Sequence, residues 1–200
     1  MKKRLTMWRT LLFAAILIFV AYSAQAATID QPINDGWWIQ LQYAQPVAQS
    51  FTAEDVKVDW VGMYLKDANM HFNDLTIFMS LYSGNGIFTS DHLIMSEEIS
   101  LGAFAGGAGY ADMDVSSYDF VVGSSYTMAL SNDTPRWGPL LSTINRYDGG
   151  MLYLFGNPYP NQESRFHVIT NTASVPEPSN ILLLGAGLAG LGILRRKFKN

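Results

Sequence analysis

The sequence predicts an all-β body, a two-sheet antiparallel β-sandwich, flanked by one apolar helix at each end of the chain. Three observations carry this prediction. Between residues 27 and 174 no stretch repeats apolar residues at helical spacing for three turns, whereas short alternating or doubly apolar runs recur throughout. Clusters of Gly, Asn, Asp and Pro separate those runs at the short intervals typical of sandwiches. Two uncharged apolar stretches, Leu11 to Ala21 and Ile181 to Leu194, bracket the body.

Taken in order, strands are expected near Trp37 to Tyr43, Val47 to Thr52, Val56 to Lys66, Leu75 to Ser83, Leu93 to Leu101, Tyr110 to Val115, Ser124 to Ser131, Leu140 to Tyr147, Met151 to Phe155 and Arg165 to Thr170. Within the fourth, Leu75, Ile77, Met79 and Leu81 share one apolar face, as a central strand requires. In the seventh, Tyr126, Met128 and Leu130 oppose Ser125, Thr127, Ala129 and Ser131, the mark of a sheet with one solvated side. Ser83-Gly84-Asn85-Gly86 is expected to turn a hairpin because Gly and Asn tolerate positive φ, and Asp148-Gly149-Gly150 is a second such turn. The prolines of Asn157-Pro158-Tyr159-Pro160-Asn161 make that stretch a loop. Gly102 to Gly109, with four glycines, is expected to be flexible. This succession of strands resembles jelly-roll domains of the carbohydrate-binding type on bacterial surface proteins, a resemblance of pattern without a diagnostic motif.

The body has about 150 residues, the commonest size for one domain. It holds sixteen of the chain's seventeen acidic residues but only Lys57, Lys66, Arg136, Arg146 and Arg165 as cations, a net charge of −11 against −4 for the whole chain. Nucleic-acid binding draws its affinity from clustered Lys and Arg, so nucleic acid is excluded as a partner. The chain has no cysteine, which removes disulfides, thiol catalysis and thiolate metal sites and leaves stability to packing.

No catalytic residue and no cofactor is expected. Gly185-Ala186-Gly187-Leu188-Ala189-Gly190 spells a dinucleotide fingerprint, but only ten residues follow it, too few for the acidic ribose ligand; small residues packing a membrane helix account for it. Glu97 and Glu98 are neighbours in a strand and point to opposite faces, so they cannot serve one cleft as a glycosidase pair. Asp112 and Asp114 share a face about 7 Å apart. Their expected role is solvation; with Asp133 of the oxygen-rich turn Asn132-Asp133-Thr134 they are also candidate calcium ligands. His71, His92 and His167 are scattered singly, without metal-ligand spacing. Among the aromatics, Trp137 follows a proline turn and Tyr159 lies between two prolines, so both are expected on loops as candidate sugar-stacking residues.

The ends of the chain carry the sharpest signals. Lys2, Lys3, Arg4 and Arg9 precede the first apolar stretch, and Ala24-Gln25-Ala26 supplies a small-x-small site, the layout of a secretory signal peptide spanning residues 1–26 and cut after Ala26. Signal peptidase and the Sec export machinery are its expected partners. At the other end, Val175-Pro176-Glu177-Pro178 cannot hold a helix through its second proline and stays an extended, accessible spacer. An uncharged segment of about 180–194 follows, short for a bilayer of about 30 Å, and Arg195, Arg196 and Lys197 hold its end in the cytoplasm. Residues 175–200 resemble the PEP-CTERM sorting signal of exported Gram-negative proteins.

The resemblance implies a membrane-embedded exosortase that cuts near Pro-Glu-Pro, transient anchoring in the inner membrane, and final residence at the cell surface or in the extracellular matrix, in company with exopolysaccharide or biofilm production. The expected function is that of an exported, matrix-associated, non-enzymatic protein with extracellular polysaccharide as a candidate partner. A weak glycan-binding module is the first alternative and a polysaccharide hydrolase the second.

Overall fold

The computed structural model describes residues 28–32 and 36–170. The signal-peptide segment with Ala24 and Ala26, the sorting motif Val175 to Pro178, the apolar segment after it and the cluster Arg195 to Lys197 lie outside the described residues. Among the described residues no helix is long and apolar enough to cross a membrane.

Among the described residues, thirteen strands form two antiparallel sheets. In chain order they are β1 (Ile29–Gln31), β2 (Trp37–Trp38), β3 (Val47–Thr52), β4 (Trp60–Asp67), β5 (Thr76–Ser83), β6 (Leu93–Ser100), β7 (Ala108–Asp114), β8 (Ser125–Ser131), β9 (Trp137–Ser142), β10 (Leu152–Leu154), β11 (Asn157–Tyr159), β12 (Glu163–Ser164) and β13 (Phe166–Ile169). The larger sheet runs β1-β13-β4-β9-β12, with β7 on the other edge of β4 and β2 on the other edge of β9; the smaller runs β11-β10-β3-β8-β5-β6. The all-β sandwich expected from the alternation is therefore the observed architecture.

The core lies between the sheets because each strand turns every second residue inward. Val61, Met63 and Leu65 of β4, Ala111 and Met113 of β7 and Phe166 and Val168 of β13 pack with Phe51 of β3, Ile77, Met79 and Leu81 of β5 and Met128 and Leu130 of β8. One buried polar contact ties the two layers, and one buried ion pair closes an end of the larger sheet. Gln49 of β3 accepts hydrogen bonds from the backbone N–H (2.9 Å) and hydroxyl (3.3 Å) of Ser164 in β12. Asp67, at the inward end of β4, pairs with Arg136 at 2.8 Å, both side chains being buried.

The structure corrects several local expectations. The run Trp37 to Tyr43 is a strand only over Trp37–Trp38; Leu41–Ala44 forms a helical turn, α1, because Leu41 and Ala44, three apart, are both drawn into the core. β9 begins at Trp137 rather than Leu140 and tolerates Pro139 where it changes partners, leaving β4 for β2 and β12. The Asn157 stretch is a strand despite Pro158, since β11 lies at a sheet edge and pairs only with β10, where a missing donor costs least. Neither glycine turn closes a tight hairpin. Ser83 to Gly86 opens a longer excursion before β6, and Asp148 to Gly150 carries the chain from one sheet to the other. Within Gly102 to Gly109, the Gly106 N–H donates to the Asp67 carboxylate and the Gly107 carbonyl accepts from the Asp67 N–H.

Candidate functional site

The outward positions of the larger sheet follow from the same period of two. On β4 they are Trp60, Gly62, Tyr64 and Lys66; on β7, Tyr110, Asp112 and Asp114; on β13, His167 and Ile169. Register sets them side by side: Trp60 opposes Asp114 and Ile169, Gly62 lies between Asp112 and His167, and Tyr64 opposes Tyr110. Arg165 joins them at a fork. It lies between β12 and β13, its N–H donating to Leu140 of β9 and its carbonyl accepting from Tyr64 of β4, so its side chain stands where two neighbouring strands diverge.

Rings and cations interleave across this face. The Arg165 guanidinium lies 4.1 Å from the Tyr64 ring centre and 5.6 Å from that of Tyr110, and its Nε donates to the Tyr110 hydroxyl at 3.2 Å. Tyr110 meets Tyr64 edge-on at 5.1 Å and stacks on the His167 imidazole at 4.0 Å. Lys66 stands 5.6 Å over Trp38, which in turn lies 6.1 Å from Tyr64. His167 Nε2 and Asp112 Oδ1 are 2.6 Å apart, a pair laid directly over Gly62. Any side chain at position 62 would overlap both groups, so glycine is a local necessity there. Burial pushes the Tyr110 hydroxyl above its ordinary value, although the hydrogen bond and charge of Arg165 pull the other way.

The residues singled out from the sequence fall elsewhere. Trp137 is a correction: it opens β9 opposite the inward-pointing Asp67, is 0% exposed, and donates its indole N–H to the Asp74 carbonyl at 3.2 Å. Its ring is core and offers no stacking surface. Tyr159 ends the edge strand β11 and is partly buried against the core, apart from the aromatic face. Asp112 and Asp114 do share a face, but each has a structural partner. Asp112 holds His167, and Asp114 accepts from the Ser116 N–H at 2.9 Å, where the Ser116 side-chain and backbone hydrogen bonds hold its carboxyl below the usual range. Asp133 is exposed, its carbonyl receiving the Gln42 amide. Among the described residues no group of three or more His, Asp or Glu could hold a metal ion. Glu97 and Glu98 stand opposite Met79 and Phe78 and face opposite ways, as expected.

Sequence reasoning missed Tyr64, Tyr110, Arg165 and His167 as a group. One signal was present: the outward positions of β4 spell Trp, Gly, Tyr, Lys, a ring-rich face interrupted by the one residue without a side chain.

Residues 174–197 match the PEP-CTERM protein-sorting motif. The motif implies export, membrane-associated sorting in Gram-negative bacteria and an exosortase as the processing partner. No curated protein matches the chain.

Proposed function

We propose that this chain is a non-enzymatic exported protein that, once processed by an exosortase, works at the cell surface or in the extracellular polysaccharide matrix. The sorting motif at residues 174–197 carries the reading. It is supported by the signal-peptide pattern up to Ala26, by a β-sandwich body of net charge −11, and by the structural engagement of Asp112 with His167 and of Asp114 with Ser116. Replacing Pro176, Glu177 and Pro178 together by alanine removes the prolines that disfavour a helix at the expected cleavage site while leaving the export signal untouched. The variant should accumulate in the membrane fraction, and the intact mass of wild-type protein from the medium should show both terminal segments removed. Release of the variant at the wild-type rate would sink the reading.

Glycan binding is a second reading, favoured by the aromatic and cationic outer face of the larger sheet rather than by Trp137 or Tyr159. Hydrolysis is the third; it requires reducing-sugar release from the native polysaccharide, and none is expected.

A further inference from the structure

We infer that the outer face of the larger sheet is a binding platform for an acidic polysaccharide, a pyranose polymer bearing carboxylates, with Trp60 as the stacking ring and Arg165 and Lys66 as the carboxylate ligands. The inference rests on the glycan-binding reading of this protein and names the polymer's chemistry and its site. Its starting point is the distribution of cations in a body that has only five. Lys57 pairs with Asp119, Arg136 with Asp67 and Arg146 with Glu163. Lys66 and Arg165 alone form no ion pair with a carboxylate among the described residues, and both stand on this one face over aromatic rings.

Aromatic support orients these two cations without neutralising them. Arg165, half-buried, spends only its Nε, on the Tyr110 hydroxyl, and its two terminal nitrogens make no hydrogen bond among the described residues. A planar guanidinium held in this way presents a fork that matches a carboxylate. Trp60 is 41% exposed at the other end of β4, opposite Asp114 and one register pair away from Asp112, whose side chain is 40% exposed and whose second carboxylate oxygen can accept from a sugar hydroxyl. Trp60 and Lys66 are six residues apart on one strand, about 20 Å at about 3.3 Å per residue, which suits several linked rings and not a single sugar. The same face carries Asp30, Asp112 and Asp114 around its Trp60 end, so attraction for a polyanion is confined to the end that holds Lys66 and Arg165 and must weaken with salt.

The full chain in detergent, titrated with polygalacturonate and with the neutral polymer dextran, tests the proposal. Polygalacturonate should bind at low salt and dextran more weakly. Lys66→Ala and Arg165→Ala should each weaken polygalacturonate binding about tenfold, the scale of a lost charge-assisted hydrogen bond, without changing dextran binding. Trp60→Ala should weaken both. Lys66 and Trp60 are exposed, so their variants keep the test informative if Arg165→Ala unfolds. Equal binding of polygalacturonate by wild type and the Lys66 and Trp60 variants overturns the site. Preference for dextran overturns the acidic specificity while leaving the glycan-binding reading standing; failure to bind either polymer or the producer's own polysaccharide overturns both.

Discussion

The two outer faces of the sandwich are built from similar residues and finished in opposite ways. On the smaller sheet, Tyr82 and Tyr153 are roofed by Phe88 from the excursion between β5 and β6, with ring centres 5.7 Å apart in both pairs and edge-to-face geometry. That excursion is pinned down: the Gly86 N–H donates to the Thr127 hydroxyl at 2.8 Å, that hydroxyl donates to the Gly84 carbonyl at 2.8 Å, and the Tyr153 hydroxyl donates to Asn85 at 2.7 Å. Tyr82 and Tyr153 are thus consumed by the protein's own loop, while Phe78 of β5 is left exposed on the same face. On the larger sheet the rings of Tyr64, Tyr110 and Trp38 meet cations instead, and Trp60 and Lys66 stand exposed. Aromatic content alone therefore says little about binding; what distinguishes the faces is whether a local segment carries the glycines and hydrogen-bond partners needed to fold back over the rings.

The largest expected effect lies in the layer that both faces share. Arg136→Ala strands the buried Asp67 carboxylate and should lower stability by about 3–5 kcal/mol in chemical denaturation. Both faces should then lose their near-ultraviolet signals together; loss of one alone would show that they are separately supported. The same pair sets an acid limit. Burial would raise the Asp67 carboxyl, but hydrogen bonds from Arg136 and Gly106 and the Arg136 charge hold it below its ordinary value. A depressed folded-state value means that this stability is present above the unfolded value of about 3.9 and is lost as pH falls through the lower folded one. Asp67→Asn should flatten that acid slope.

A smaller effect separates the faces. Gly86 has φ of +70°, and a side chain there would overlap Tyr153. Gly86→Val should cost about 2 kcal/mol or more and expose the Tyr82, Phe88 and Tyr153 cluster, while leaving the larger sheet's ligands in place. Polymer binding that fell in step with this roof would break the contrast. Smallest are two single side-chain truncations, one under the roof and one on the open face. Tyr153→Phe leaves Asn85 without its donor and should cost about 1 kcal/mol, whereas Trp60→Ala should stay within about 0.5 kcal/mol. A melting temperature that fell further for Trp60→Ala than for Tyr153→Phe would show Trp60 to be structural and not a waiting contact.

Much of the fold is legible along the chain, because strand periodicity is local. Val47–Thr52 is the strand expected from the sequence, and the alternation of Ile77, Met79 and Leu81 and of Tyr126, Met128 and Leu130 correctly marks their inward faces. Errors gather where a local signal competes with a long-range one. Trp137 follows Pro135 and precedes Gly138 and Pro139, all turn residues, yet pairing with β4 draws it inward, and Gly138 is needed because a side chain there would strike the Ile39 carbonyl. The candidate site was even less legible. Asp112 and His167 are fifty-five positions apart and meet only because β7 and β13 flank β4 at Gly62.

Chain-local chemistry marked the sorting signal and the class of this protein: a Pro-Glu-Pro motif before an apolar run and a basic end, an all-β body with its inward faces marked by alternation, and, without cysteine, a dependence on packing. Each depends only on residues near one another in the sequence. Which rings are core and which are exposed, and that the two cations without carboxylate partners share one face, was decided by sheet order and register. Those are pairings between distant segments, fixed by how well the two layers pack, and a one-residue slip in any of them would turn Arg165 or Trp60 toward the opposite side.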